Sequence, residues 1–202
     1  MKHKLILSLV MIFTILLNAC ERENLTPKPP TYLKADLPEH SYHKENFPAP
    51  FSCDVSDLFT LKNTLRCDSN YCEQEIDMGR AINGSINLFY KRLANKDSLP
   101  SLINFSNKEV DFHKIKADKI DFDQIIDQEN KVYGTIFELK VDVATNYQFY
   151  LTDSAQHFLR GEVILNCVPN YDSLRNVLVY IKEDLDVMMN TLSWKSKLLK
   201  WY

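Results

Sequence analysis

Asp153, Ser154, His157 and Arg160 stand close together in the chain and are the residue types most able to do chemistry. An aspartate, a serine and a histidine can supply a nucleophile, its base and the group that orients the base, which would make a hydrolase. Against this, Asp and Ser are turn formers whose side chains bond nearby backbone. A triad also needs converging elements and an oxyanion hole. Polar groups on a turn above a rigid sheet more often carry recognition. Asp153, Ser154, His157 and Arg160 are therefore the candidate partner-binding set, and no residue is assigned as catalytic.

Other chemistry is thin. His40-Ser41-Tyr42-His43 is a His-x-x-His in a loop, with only Glu39 and Glu45 as nearby carboxylates and no cysteine at ligand spacing. That falls short of a zinc site. Asp121, Asp123 and Asp127 form an acid cluster beside a turn, which reads as solvated and not as an acid–base pair. Gly79, Gly84, Gly134 and Gly161 are the only glycines, and they write no phosphate loop, dinucleotide fingerprint or nucleophile elbow. No metal, cofactor or small-molecule substrate is expected. A lipid-anchored small-ligand binder stays as an alternative beside the hydrolase.

The elements around the polar set are the clearest in the chain. Residues 131–139 are β-branched and aromatic. Tyr147, Phe149 and Leu151 alternate, and so do Leu159, Val163 and Leu165. Such alternation suits strands with one face buried. The short polar link from Thr152 to Gln156 fits an antiparallel hairpin. After Pro169, Leu174, Val177, Leu178, Ile181, Leu185, Met188, Met189 and Leu192 recur at helical spacing, which predicts a helix packed by one side on the sheet. Asn170 or Asp172 can cap it.

Upstream, the pattern predicts strands at 32–37, 51–55, 75–77, 85–90 and 120–126. It predicts loop from Pro38 to Pro50, and a helix from Asp97 towards Lys114 with Pro100 in its first turn. The order gives an α+β class: an antiparallel β-sheet packed by two main helices, resembling a PsbP-like sandwich.

The 202 residues suit one domain once a leader is removed. Met1-Lys2-His3-Lys4 is positive, and Leu5 to Leu17 is an apolar run too short to span a bilayer as a stable anchor. Leu17-Asn18-Ala19-Cys20 then reads as a lipobox, in which the Cys20 thiol takes the lipid. The alternative is an ordinary secretory signal with an incidental cysteine. Residues 1–19 are thus the lipoprotein signal peptide, 20–31 a lipidated Cys and Pro-rich tether, and 32–202 the domain. Loss of Lys2 and Lys4 with the leader takes the net charge from -3 to -5, which argues against nucleic acid as a partner. The location expected is the cell envelope, lipid-anchored, with the domain in the periplasm. Glu21-Arg22-Glu23 does not choose between the two membranes.

Several runs carry a family likeness: Val132-Tyr133-Gly134, 147–154 from Tyr147 to Ser154, His157-Phe158-Leu159-Arg160-Gly161, 169–174 from Pro169 to Leu174, and Thr191-Leu192-Ser193-Trp194-Lys195. With Lys28-Pro29-Pro30-Thr31-Tyr32-Leu33 and Leu37-Pro38-Glu39-His40 they follow one another over most of the mature chain. In succession they resemble the gliding-motility lipoprotein family GldD of Bacteroidetes-type bacteria. The resemblance implies a membrane-attached, non-enzymatic accessory of gliding and of the linked type IX secretion system, in contact with other proteins of that machinery. It also implies one cysteine near Phe51 and one before the Ile76 strand. Cys53–Cys72 is therefore the first disulfide expected and Cys67–Cys72 the second. Cys167 reads as a small buried residue near a strand end.

Overall fold

Apolar residues that alternate along a strand bury one face, and this chain builds a large sheet on that rule. The computed structural model describes residues 36–62, 66–112 and 119–195. The leader, Cys20, the tether and residues 32–35 of the first expected strand lie outside the described residues.

In chain order the strands are β1 (Tyr42–Asn46), β2 (Phe51–Ser56), β3 (Thr60–Leu61), β4 (Arg66–Cys67), β5 (Tyr71–Asp77), β6 (Gly84–Arg92), β7 (Ile120–Asp127), β8 (Val132–Leu139), β9 (Tyr147–Thr152), β10 (His157–Leu165) and β11 (Ser193–Trp194). The helices are α1 (Gly79–Ile82), α2 (Leu99–Phe112) and α3 (Tyr171–Asn190). The larger sheet runs β3-β5-β6-β10-β9-β8-β7, with β4 beside β5, and the smaller runs β1-β2-β11. Every pairing is antiparallel. The α+β class and its two main helices, α2 and α3, are as expected.

Register fixes two faces of the larger sheet. Ile76, Ile86, Leu88, Tyr90, Leu159, Val163, Leu151, Phe149, Ile136 and Val132 lie on the inner face, and all are buried. α3 and β2 pack over this face, and the three layers share one core. The Tyr147 hydroxyl donates to the Leu178 carbonyl at 3.1 Å and the Tyr171 hydroxyl to Glu138 at 2.8 Å, tying α3 to β9 and β8. The Asn170 side chain accepts from the Ser173 N–H at 2.9 Å and so caps α3. α2 lies on the outer face, led in by the 3₁₀ turn Lys96–Ser98, whose cap is Asn95.

Several expectations are corrected. Asp36 and Leu37 form no strand, and the supposed loop to Pro50 contains β1. Its pairing with β2 satisfies the backbone, since Tyr42-His43-Lys44-Glu45-Asn46 has no apolar alternation to announce a strand. Cys53 does not reach Cys72: it is a buried free thiol on β2, in the other sheet. Cys72 pairs instead with Cys67, its direct neighbour across the β4–β5 ladder. Cys167 is exposed, because it lies past the end of β10 where no element covers it.

Candidate functional site

A carboxylate between two strands can either act on a ligand or hold the turn, and Asp153 holds the turn. Its Oδ1 accepts from the N–H groups of Ala155, Gln156 and His157 at 2.9, 2.7 and 2.8 Å. Ser154 takes the left-handed conformation this turn needs, with φ +62°, and its N–H donates to Thr152 Oγ1 at 3.0 Å. Burial pushes the Asp153 carboxyl up, but the amides of His157, Ala155 and Gln156 outweigh it and hold the group below its ordinary value. Asp153→Ala is expected to destabilise by about 2 kcal/mol at neutral pH, the worth of charge-assisted bonds partly replaced by water. A lowered carboxyl supports folding above its unfolded value and loses that support as pH falls through the folded one. Urea melts of both proteins should therefore converge on the acid side.

His157 and Arg160 leave the sheet on opposite faces. His157 is buried on the inner face, where its Nδ1 shares a 2.8 Å hydrogen bond with the Tyr90 hydroxyl and its ring stacks on Trp194 at 5.0 Å. Burial lowers its proton affinity, against the pull of Asp153, so the ring stays neutral near pH 7. Arg160, on the outer face, donates to Glu162 at 2.9 Å and to Gln148 at 3.2 Å, and its guanidinium lies over Phe89 and Phe105. Of the four predicted site residues, the structure thus brings Asp153, Ser154 and His157 to one turn. Asp153 there is committed to backbone and His157 to Tyr90, while Arg160 bonds Glu162 and Gln148 on the opposite face of the sheet.

His40 and His43 go to different partners. His43 Nδ1 bonds Asp57 at 2.7 Å. His40 stands between two carboxylates of α3: Nδ1 donates to Asp184 Oδ1 and Nε2 faces Glu183, each at 2.8 Å. Its ring stacks on Tyr180 at 4.0 Å. Asp184 is only 1% exposed, and burial raises its carboxyl, with His40 and Tyr42 pulling the other way. Tyr42 beside it is pushed up to about 12, by burial first and Asp184 second. Among the described residues, no group of three or more His, Cys, Asp or Glu is arranged to hold a metal.

What remains uncovered is the outer face near β7. Phe122 and Ile126 on β7 are 62% and 66% exposed, and Phe105 and Phe112 on α2 are exposed as well. Between α2 and the sheet runs a groove of about 460 Å³ lined by Val110, Ile120, Phe122, Phe137 and Tyr150. A second hollow of about 280 Å³ continues it towards Ser154, past Ile103, Ile126 and Tyr133. Both are open to solvent, unlike the largely enclosing pockets of small-molecule sites. β7 is also an end strand of the larger sheet among the described strands. Periodicity could have given this face, since Phe122, Gln124 and Ile126 alternate with Asp121, Asp123 and Asp127. That α2 leaves it uncovered could not have been read.

A family model described as gliding motility lipoprotein GldD matches residues 22–194. No curated protein matches the chain.

Proposed function

The chain belongs to the gliding motility lipoprotein GldD family, and from that membership we propose a lipid-anchored, non-enzymatic accessory of the gliding and type IX secretion machinery that works through contacts with other envelope proteins. The family match over residues 22–194 carries this reading. The leader 1–19 is removed, Cys20 carries the lipid, 20–31 is the tether and 32–202 the working domain in the periplasm. Among the described residues, no helix is long and apolar enough to cross a membrane. Each buried methylene of an acyl chain contributes about 0.8 kcal/mol, so several chains hold the protein at the bilayer. Contacts suit it because the most reactive-looking residues, Asp153 and His157, are spent on a turn and a buried ring pair, while an apolar sheet face stays open.

Deleting the gene is expected to abolish colony spreading and cargo secretion, and the wild-type chain to restore both. Cys20→Ala should fail to restore them, and mass spectrometry of the wild-type amino terminus should find an acylated Cys20. Ser154→Ala should restore both, as no hydroxyl chemistry is required. Normal spreading and secretion in the deletion strain would overturn the role. A Ser154→Ala chain that is folded but inactive would favour the hydrolase.

A further inference from the structure

An exposed strand edge carries a row of open backbone donors and acceptors, and soluble proteins guard such edges with charge. β7, an end strand of the larger sheet among the described strands, carries that guard in a specific form. Asp121, Asp123 and Asp127 share its inner-face side with Ile125, which packs on the core, and Phe122 and Ile126 share its outer-face side. The Asp123 side chain is 74% exposed, with Lys182 behind it at 3.6 Å. Asp121 has Lys140 at 2.8 Å and Lys119 at 3.3 Å on the protein side. Asp127 holds the β7–β8 turn by accepting from Asn130.

This pattern excludes one occupant. In an antiparallel ladder, facing residues point to the same side of the sheet. Pair β7 with a second copy of itself in any register of more than a few residues, and an aspartate meets an aspartate. Asp123 faces Asp123, or Asp121 faces Asp123, or Asp127 faces one of the other two. Like charges directly opposite destabilise a ladder. The edge therefore repels its own copy, while the same side chains would meet lysine or arginine favourably.

We propose that β7 is an interaction edge that takes an extended segment of a partner protein in which basic and apolar residues alternate. The segment adds as a further strand, sets its basic residues against Asp121, Asp123 and Asp127, and lays its apolar residues beside Phe122 and Ile126 in the groove under α2. Main-chain bonds give the affinity of such strand addition, and the alternating side chains give its selectivity. This rests on the contact-making role proposed above and names the contact.

Two measurements test it on the mature chain and in cells. Eight-residue peptides of alternating lysine and valine, or glutamate and valine, are added to the purified mature protein, and hydrogen exchange is followed at β7. The lysine peptide is expected to slow exchange at β7 amides, and Asp123→Lys to weaken its binding about tenfold, from a few opposed charge pairs of under 1 kcal/mol each. Equal protection by both peptides, or by neither, overturns the proposal. In cells, Phe122→Glu with Ile126→Glu should abolish spreading at unchanged protein level and unchanged circular dichroism. Should that pair misfold, Asp123→Lys, which touches only charge, gives the same readout. Full spreading by folded edge variants overturns the β7 site and leaves the accessory role standing. Spreading by the deletion strain overturns the role itself.

Discussion

Gly134→Ala is expected to cost about 3 kcal/mol or more, the upper range for overpacking a well-filled interior. Gly134 sits mid-strand on β8, opposite Ile125 of β7 and Leu151 of β9. A methyl group there would run into the Tyr150 carbonyl oxygen of the neighbouring strand, and Leu151 Cδ2 would lie 2.9 Å away. The obstacle is backbone, so no rotamer change removes it. To make room, β8 and β9 must part, and their ladder is held on both sides. For a domain of this size the loss corresponds to about 10 °C in Tm. Urea unfolding should show it as a lower midpoint with an unchanged slope. Gly161 is the useful contrast. Its added methyl would meet the ring of Phe149, a side chain and not a carbonyl, so the cost there depends on how far that ring can turn. A Gly134→Ala protein within 1 kcal/mol of wild type would mean that β8 and β9 are not packed as described.

How much of this was legible follows from where the physics is local. β8, β9, β10 and α3 announce themselves because each buries one face against the shared core, and burial writes periodicity into sequence. Asn170 as a cap is local too. β1 is not: it pairs on one side only and carries His43, Lys44 and Asn46 to solvent, so no alternation marks it. The two-residue strands β3, β4 and β11 are too short to show alternation and are fixed by the strands they pair with. The disulfide went to Cys67 because β4 and β5 form a hairpin whose register only the ladder shows. The polar turn was visible as a turn, but that His157 points inward and Arg160 outward is a matter of parity along β10 and could have been counted. Asp184 is the most telling omission. It falls on the apolar stripe of α3, three residues after Ile181 and four before Met188, where an acid has no business without a partner. That signal was in the sequence. Its partner, His40, 144 residues earlier, was not.

His40→Ala should reveal how much that pairing matters. Removing a donor to a buried carboxylate leaves that carboxylate short of a hydrogen bond, a loss of about 2 kcal/mol, since His40 itself is partly exposed. Asp184 Oδ1 would lose its hydrogen bond, and Oδ2 makes none of ordinary length to compensate. Tyr180 would also lose the ring stacked on it. The pH dependence separates the charge effect from lost packing. Burial holds the Asp184 carboxyl above its ordinary value in the folded protein. The folded chain therefore keeps a proton that the unfolded chain has released, and the group's support for folding fades as pH rises from the ordinary carboxylate value through the raised one. His40 limits that penalty. Its removal should hurt wherever Asp184 is ionised and least where Asp184 is protonated, so the gap between variant and wild type should close once the carboxyl takes its proton. In an Asp184→Asn background, His40→Ala should cost far less at pH 7, because no buried charge is left stranded. A cost that is equal at all pH values, or equal in both backgrounds, would assign His40 to packing against Tyr180 alone.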